Sequence, residues 1–218
     1  MDEYSFGCPK KCKRCASFAE GKLRLVPAFF KEGSGLRLML IGQDPTIRQE
    51  PDRVKHALML DDPNSQLSRW LRKEVFGESN LHSSTLYATN LVKCSFEKLP
   101  SAAPQGAVGF LEPYFDNCKD HLLEEISKFR PTLVLTLGEP AHKLFITILD
   151  NRHDYAEDMK DAFTGRFVRA ELRGTEFDYS PCLHITTFRL AETYGDSLKN
   201  FERGLEAYFK ESGQGLAK

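Results

Sequence analysis

Three short runs in the chain are apolar at nearly every position: LRLMLIG (residues 36–42), LYATNLV (86–92) and TLVLTLG (132–138). Runs of this length that stop at Gly or a polar residue have the pattern of parallel strands buried on both faces, where no alternation is needed. Between them the apolar positions change to a helical period. In SQLSRWLRKEVFG, Leu67, Trp70, Leu71 and Val75 form one stripe, and Gly77 ends it. The segment FLEPYFDNCKDHLLEEISKFRP predicts a helix from about Pro113 to Phe129, closed before Pro131. EPAHKLFITIL predicts a helix after the third run, and SLKNFERGLEAYF a terminal helix with Leu198, Phe201, Leu205 and Phe209 in register. The segment RGTEFDYSPCLHITTF predicts a fourth strand ending near His184, whereas KLPSAAPQGAVG, rich in Pro, Gly and Ala, is expected to be a long loop.

Alternating strands and helices imply an α/β fold: one domain over residues 1–218, a doubly wound, mainly parallel four-stranded sheet with helices on both faces, and an N-terminal cysteine-bearing segment over residues 1–35. The composition agrees with this, since 218 residues with 41% hydrophobic and 28% charged side chains suit one globular core. MDEYSFGCPK is acidic and broken by Gly and Pro, unlike a signal or transit peptide, and no apolar run approaches membrane-spanning length. A cytoplasmic monomer without membrane association is therefore expected. A formal charge of −1 gives no global attraction to nucleic acid, but KKCKR, Lys10 to Arg14, is a local basic cluster.

Six cysteines in an intracellular chain point to metal ligands or buried thiols before disulfides. Cys8, Cys12 and Cys15 crowd the N-terminus, while Cys94, Cys118 and Cys182 stand apart, and Cys182 beside Pro181 reads as core.

The predicted strand ends carry the candidate chemistry. LMLIGQDPT runs from apolar residues straight into Gln43 and Asp44; Asn90 lies in the second run, and His184 follows the fourth strand. A carboxylate, an amide with donor and acceptor faces and an imidazole thus collect at one rim. Singly, each has a plain structural reading as a turn cap, a loop pin or a satisfied histidine, and their shared position is what favours a functional one.

These residues resemble the uracil-DNA glycosylase superfamily. GQDPT is similar to the Gly-Gln-Asp-Pro-Tyr water-activating motif and departs from it at Thr46; ATNLVKC is similar to the base-reading strand of the iron-sulfur class, known as family four; LHITTFRL is similar to the terminal His-Pro-Ser loop, with Ile185 in the proline's place. FRPTLVLTLGEPAHKLF resembles the family's Pro-led strand, Leu-Gly turn and helix. The resemblance implies hydrolysis of the N-glycosidic bond of uracil or a related deaminated base in DNA after base flipping. Asp44 and His184 are then catalytic, Gly42, Gln43, Thr46, Leu60 and Asn90 line the base site, Phe188 is the DNA wedge and Arg189 meets a phosphate. The ring that usually stacks on uracil falls at Met59 or Leu60, and Thr46 replaces the tyrosine that usually screens out thymine's methyl, which implies slower turnover with looser selectivity. The iron-sulfur class also implies a [4Fe-4S] cluster on Cys12, Cys15, Cys94 and Cys118, with Cys8 as a rival ligand.

Two further readings stay open. Cys8, Cys12 and Cys15 spell Cys-x3-Cys-x2-Cys, which resembles the radical S-adenosylmethionine signature, although Arg14 stands where an aromatic residue is usual and the chain is short for a barrel. A catalytically decayed nucleic-acid-binding relative would account for Thr46 and Ile185.

Overall fold

The computed structural model of the chain describes residues 26–45, 54–96, 99–185 and 194–214. Its centre is a six-stranded sheet: β1 (Phe29–Lys31), β2 (Arg37–Gly42), β3 (Thr85–Asn90), β4 (Leu133–Leu137), β5 (Val168–Leu172) and β6 (Thr175–Cys182), in the order β1-β3-β2-β4-β6-β5. The four inner strands are parallel, while β1 and β5 pair antiparallel at the edges. The sequence predicts only the inner four. β1 is too short to give a periodic signal, and β5 is half-exposed, burying only Ala170 and Leu172. β5 and β6 meet at Arg173-Gly174, whose φ angles of 48° and 75° suit a tight hairpin, although Arg-Gly is not one of the dipeptides that mark such turns.

The inner strands are apolar throughout because both their faces are covered. Leu38 and Leu40 look into one cluster and Met39 and Ile41 into the other; Leu86 and Tyr87, and Leu135 and Val134, divide in the same way. The helices are α1 (Gln66–Trp70), α2 (Glu78–Ser83), α3 (Gly106–Phe129), α4 (Glu139–Ile146), α5 (Met159–Ala162) and α6 (Gly195–Gln214). α3 and α4 supply Leu122, Ile126, Leu144 and Phe145 to one face; α1 and α6 supply Trp70, Phe201 and Leu205 to the other. Each such side chain contributes roughly 1.5–3 kcal/mol by leaving water.

α1 begins where Ser65 accepts a hydrogen bond from the Ser68 amide and continues as one π turn over Leu71–Val75. α3 corrects two expectations. It starts at Gly106, so the last third of the expected loop is helix, and Pro113 lies inside it. A proline there removes one backbone bond without stopping a helix that has a long apolar face to bury. No helix among the described residues is long and apolar enough to cross a membrane.

Candidate active site at the carboxyl rim of the sheet

In the parallel part of the sheet the order is β3-β2-β4-β6, so the chain first winds from β2 to β3 on one side and then crosses to β4 on the other. Such a switch leaves a crevice beyond the carboxyl ends of β2 and β4, where open α/β sheets bind ligands. Asp44 lies just past β2, Asn90 ends β3 and His184 lies two residues past β6.

Asp44 and Asn90 are brought together by the sheet register. Gly42 pairs with Asn90, and beyond that pair the Leu91 amide donates to the Gly42 carbonyl at 2.8 Å and the Val92 amide to the Gln43 carbonyl at 3.0 Å. Both side chains are buried, Asp44 at 8% exposure and Asn90 at 2%. Gly42 is required by close approach, since a Cβ there would lie 2.5 Å from Asn90 Oδ1 and 2.7 Å from Leu58 Cδ2. Asn90 Oδ1 has no hydrogen-bond partner among the described residues. A buried amide oxygen in that condition is costly, and a ligand N–H is the natural donor to satisfy it.

His184 rests on the turn after β4. The Gly138 amide donates to the Cys182 carbonyl at 2.8 Å, and a Cβ on Gly138, where φ is 85°, would lie 3.3 Å from His184 Cβ. The imidazole is half-buried, and that burial holds its pKa below the usual histidine value, which favours the neutral ring.

The expected base-stacking position divides in the structure. Leu60 is 1% exposed and belongs to the core cluster beneath α1 and α6. Leu58 is the side chain that meets Gly42, because Leu58 (φ 59°) and Met59 (φ 51°) are both left-handed. Two consecutive bulky residues in that region are strained, and such strain concentrates at functional sites. The sequence gives no sign of Leu58, whose placement comes from this turn alone. Gln43 is half-buried on the same rim, and Ile185 packs against the α6-side cluster. Thr46, Phe188 and Arg189 lie outside the described residues.

Two of the four expected cluster ligands are in view. Cys94 and Cys118 are both buried and belong to one core cluster, while Cys8, Cys12 and Cys15 lie outside the described residues. The first described residue, Val26, donates its amide to the carbonyl of Lys93, the residue before Cys94, at 3.3 Å. Among the described residues no three His, Cys, Asp or Glu side chains group in a way that could hold a metal ion.

The model of the uracil DNA glycosylase superfamily matches residues 30–195, well over half of the chain. The chain belongs to the uracil DNA glycosylase superfamily. The match begins within β1, runs past His184 and includes every rim residue described above. A search of curated proteins found no match. Superfamily membership implies a DNA glycosylase, a hydrolase of N-glycosyl bonds acting in DNA repair, and the open six-stranded sheet is not the barrel that the radical-enzyme reading needs.

Proposed function

We propose that this superfamily member removes uracil, or a related deaminated base, from DNA by hydrolysing the N-glycosidic bond of a flipped-out nucleotide. The observation that carries the reading is the buried Asn90 amide oxygen with no intramolecular partner among the described residues, on the carboxyl rim of the sheet where the strand ends also bring Asp44 and His184. Asn90 can accept from a ring N–H and donate to the adjacent carbonyl. Cytosine presents the opposite pattern and would leave buried polar groups unmatched. Bond cleavage puts positive charge on the sugar and negative charge on the base. The Asp44 carboxylate stabilises the first and orients water; the neutral His184 ring donates to the base oxygen that takes up the second. Phe188 fills the gap left in the duplex and Arg189 meets the backbone.

Cys94 and Cys118, with Cys12 and Cys15, hold a [4Fe-4S] cluster in this reading, a fit supported by two buried thiols in one core cluster and by the backbone bond from Val26 to Lys93, beside Cys94. The cluster would tie the N-terminal segment to α3; the chemistry at the rim is carried by the side chains named above. Cys118→Ser is expected to lose iron and visible absorption, and Cys8→Ser to keep both; the reverse pattern would reassign the ligands. Incubation with a uracil-containing oligonucleotide followed by alkali tests the reaction. Strand breakage is expected, whereas binding without breakage in the iron-loaded protein would favour the decayed relative, the reading suggested by Thr46 and Ile185.

A further inference from the structure

A buried ion pair joins the segment that follows β3 to α3. Lys93 Nζ is 2.5 Å from Glu125 Oε2, with the two side chains 8% and 3% exposed. Lys93 also donates to Thr89 Oγ1 at 2.5 Å, and Glu125 accepts from the Tyr87 hydroxyl at 3.0 Å and from the Thr89 hydroxyl at 3.1 Å. A buried pair of this kind gains little net stability over apolar packing, because desolvating both charges offsets their attraction. Its placement supplies another reason for it. Thr89 immediately precedes Asn90 and faces α3, whereas Asn90 faces Gly42 and Leu58. Lys93 immediately follows Leu91 and Val92, whose amides hold the Gly42 and Gln43 carbonyls. Glu125 sits deep in α3, a 24-residue helix. The ring of bonds therefore fastens both ends of residues 89–93 to a rigid element.

We propose that the Lys93–Glu125 pair is a positioning element of the rim: by fixing residues 89–93 against α3 it sets the orientation of Asn90 and, through the Leu91 and Val92 amides, of the Gln43–Asp44 backbone. The inference rests on the glycosylase reading only for the reaction that this positioning serves. Glu125→Gln keeps the shape and removes the charge; the double variant Lys93→Met with Glu125→Gln leaves no buried charge unpaired and covers the case in which the single variant does not fold. Hydrogen exchange resolved to single amides gives the primary readout. Exchange at Leu91 and Val92 should rise on the order of tenfold or more while that at Leu135, in the sheet core, stays unchanged, since local opening is separable from global unfolding. KM for a uracil-containing oligonucleotide should rise about tenfold, as misplacement of a positioning group produces. Exchange that rises equally at all three amides, or at none, would show the pair to be purely structural. Absence of cleavage by the wild type, with selective loosening at Leu91 and Val92 still present, would overturn the glycosylase reading and leave the positioning role standing.

Discussion

His142 and His184 are both pushed below the usual histidine pKa by burial, yet they sit in regions built for different ends. His142, on α4, is 1% exposed and held at both nitrogens, 2.7 Å from the Tyr179 hydroxyl and 2.7 Å from the Ala156 carbonyl. A carbonyl only accepts, so Nε2 carries the proton and Nδ1 accepts from Tyr179, whose oxygen in turn accepts from Thr136 at 2.8 Å. The chain of bonds is complete and neutral. His184 lies on the rim, half-buried, with burial as the cause of its shift. The His142 nitrogens are both committed to the fold and stabilise it, whereas the glycosylase reading gives the His184 ring, on the glycine turn at the rim, a part in the reaction.

Breaking this contrast should separate rate from stability. The largest effect is expected from Asp44→Asn, which removes the rim's carboxylate charge with little change of shape; kcat should fall on the order of 10² to 10³-fold with near-normal DNA binding. Wild-type rates in that variant would move the water-orienting role elsewhere. His184→Ala should lower kcat about 10²-fold, the lower range for loss of a proton-handling group, and lower the melting temperature less than His142→Ala does. His142→Ala should do the reverse. It opens a cavity and leaves Tyr179 and the Ala156 carbonyl short of a partner, at a cost of about 2–4 kcal/mol, or a fall in Tm on the order of 10 °C. A rate loss without a stability loss in His142→Ala would contradict the division.

The same two residues set an expectation for pH. Burial favours the neutral form of folded His142, while in the unfolded chain it binds a proton near the ordinary histidine value of 6.5. Above pH 6.5 its contribution to stability is complete, and as pH falls below that value the unfolded state binds more protons. Stability then declines by up to about 1.4 kcal/mol per pH unit from this group until its lowered folded pKa is reached. His121 and His184 act in the same direction from more exposed positions. Urea midpoints between pH 7.5 and 5 should therefore fall less steeply in His142→Phe than in the wild type or in His184→Ala.

How much of this could be read from the sequence followed from which physical constraint was local. β2, β3 and β4 are buried on both faces, so their runs stand out residue by residue; β1 and β5 depend on a neighbour for their existence and do not. Asp44, Asn90 and His184 were visible because a polar side chain at the end of an apolar run needs a reason. The Lys93–Glu125 pair joins residues 32 positions apart, and nothing in either local pattern signals it. The early start of α3 was hidden by Pro113, a reliable local marker that tertiary packing overrides here.

The smallest expected effect concerns Leu58, one or two positions from the Met59 or Leu60 that local reasoning named. A ring at Leu60 would be forced into the cluster that also holds Trp70 and Leu71, where added volume costs about 1–3 kcal/mol of stability. A ring at Leu58 would instead extend from a half-buried position against Gly42 and toward the Asn90 amide, and the left-handed backbone already accommodates a branched side chain there. Stacking on a base is worth roughly 1–3 kcal/mol, so even its lower limit corresponds to about a fivefold fall in KM for a uracil-containing oligonucleotide. Leu58→Phe is therefore expected to lower KM about fivefold at nearly unchanged kcat and Tm, and Leu60→Phe to lower Tm without improving KM. Steady-state kinetics and melting curves on the two variants check both halves: an improved KM in Leu60→Phe and none in Leu58→Phe would place the base against the other side of the turn.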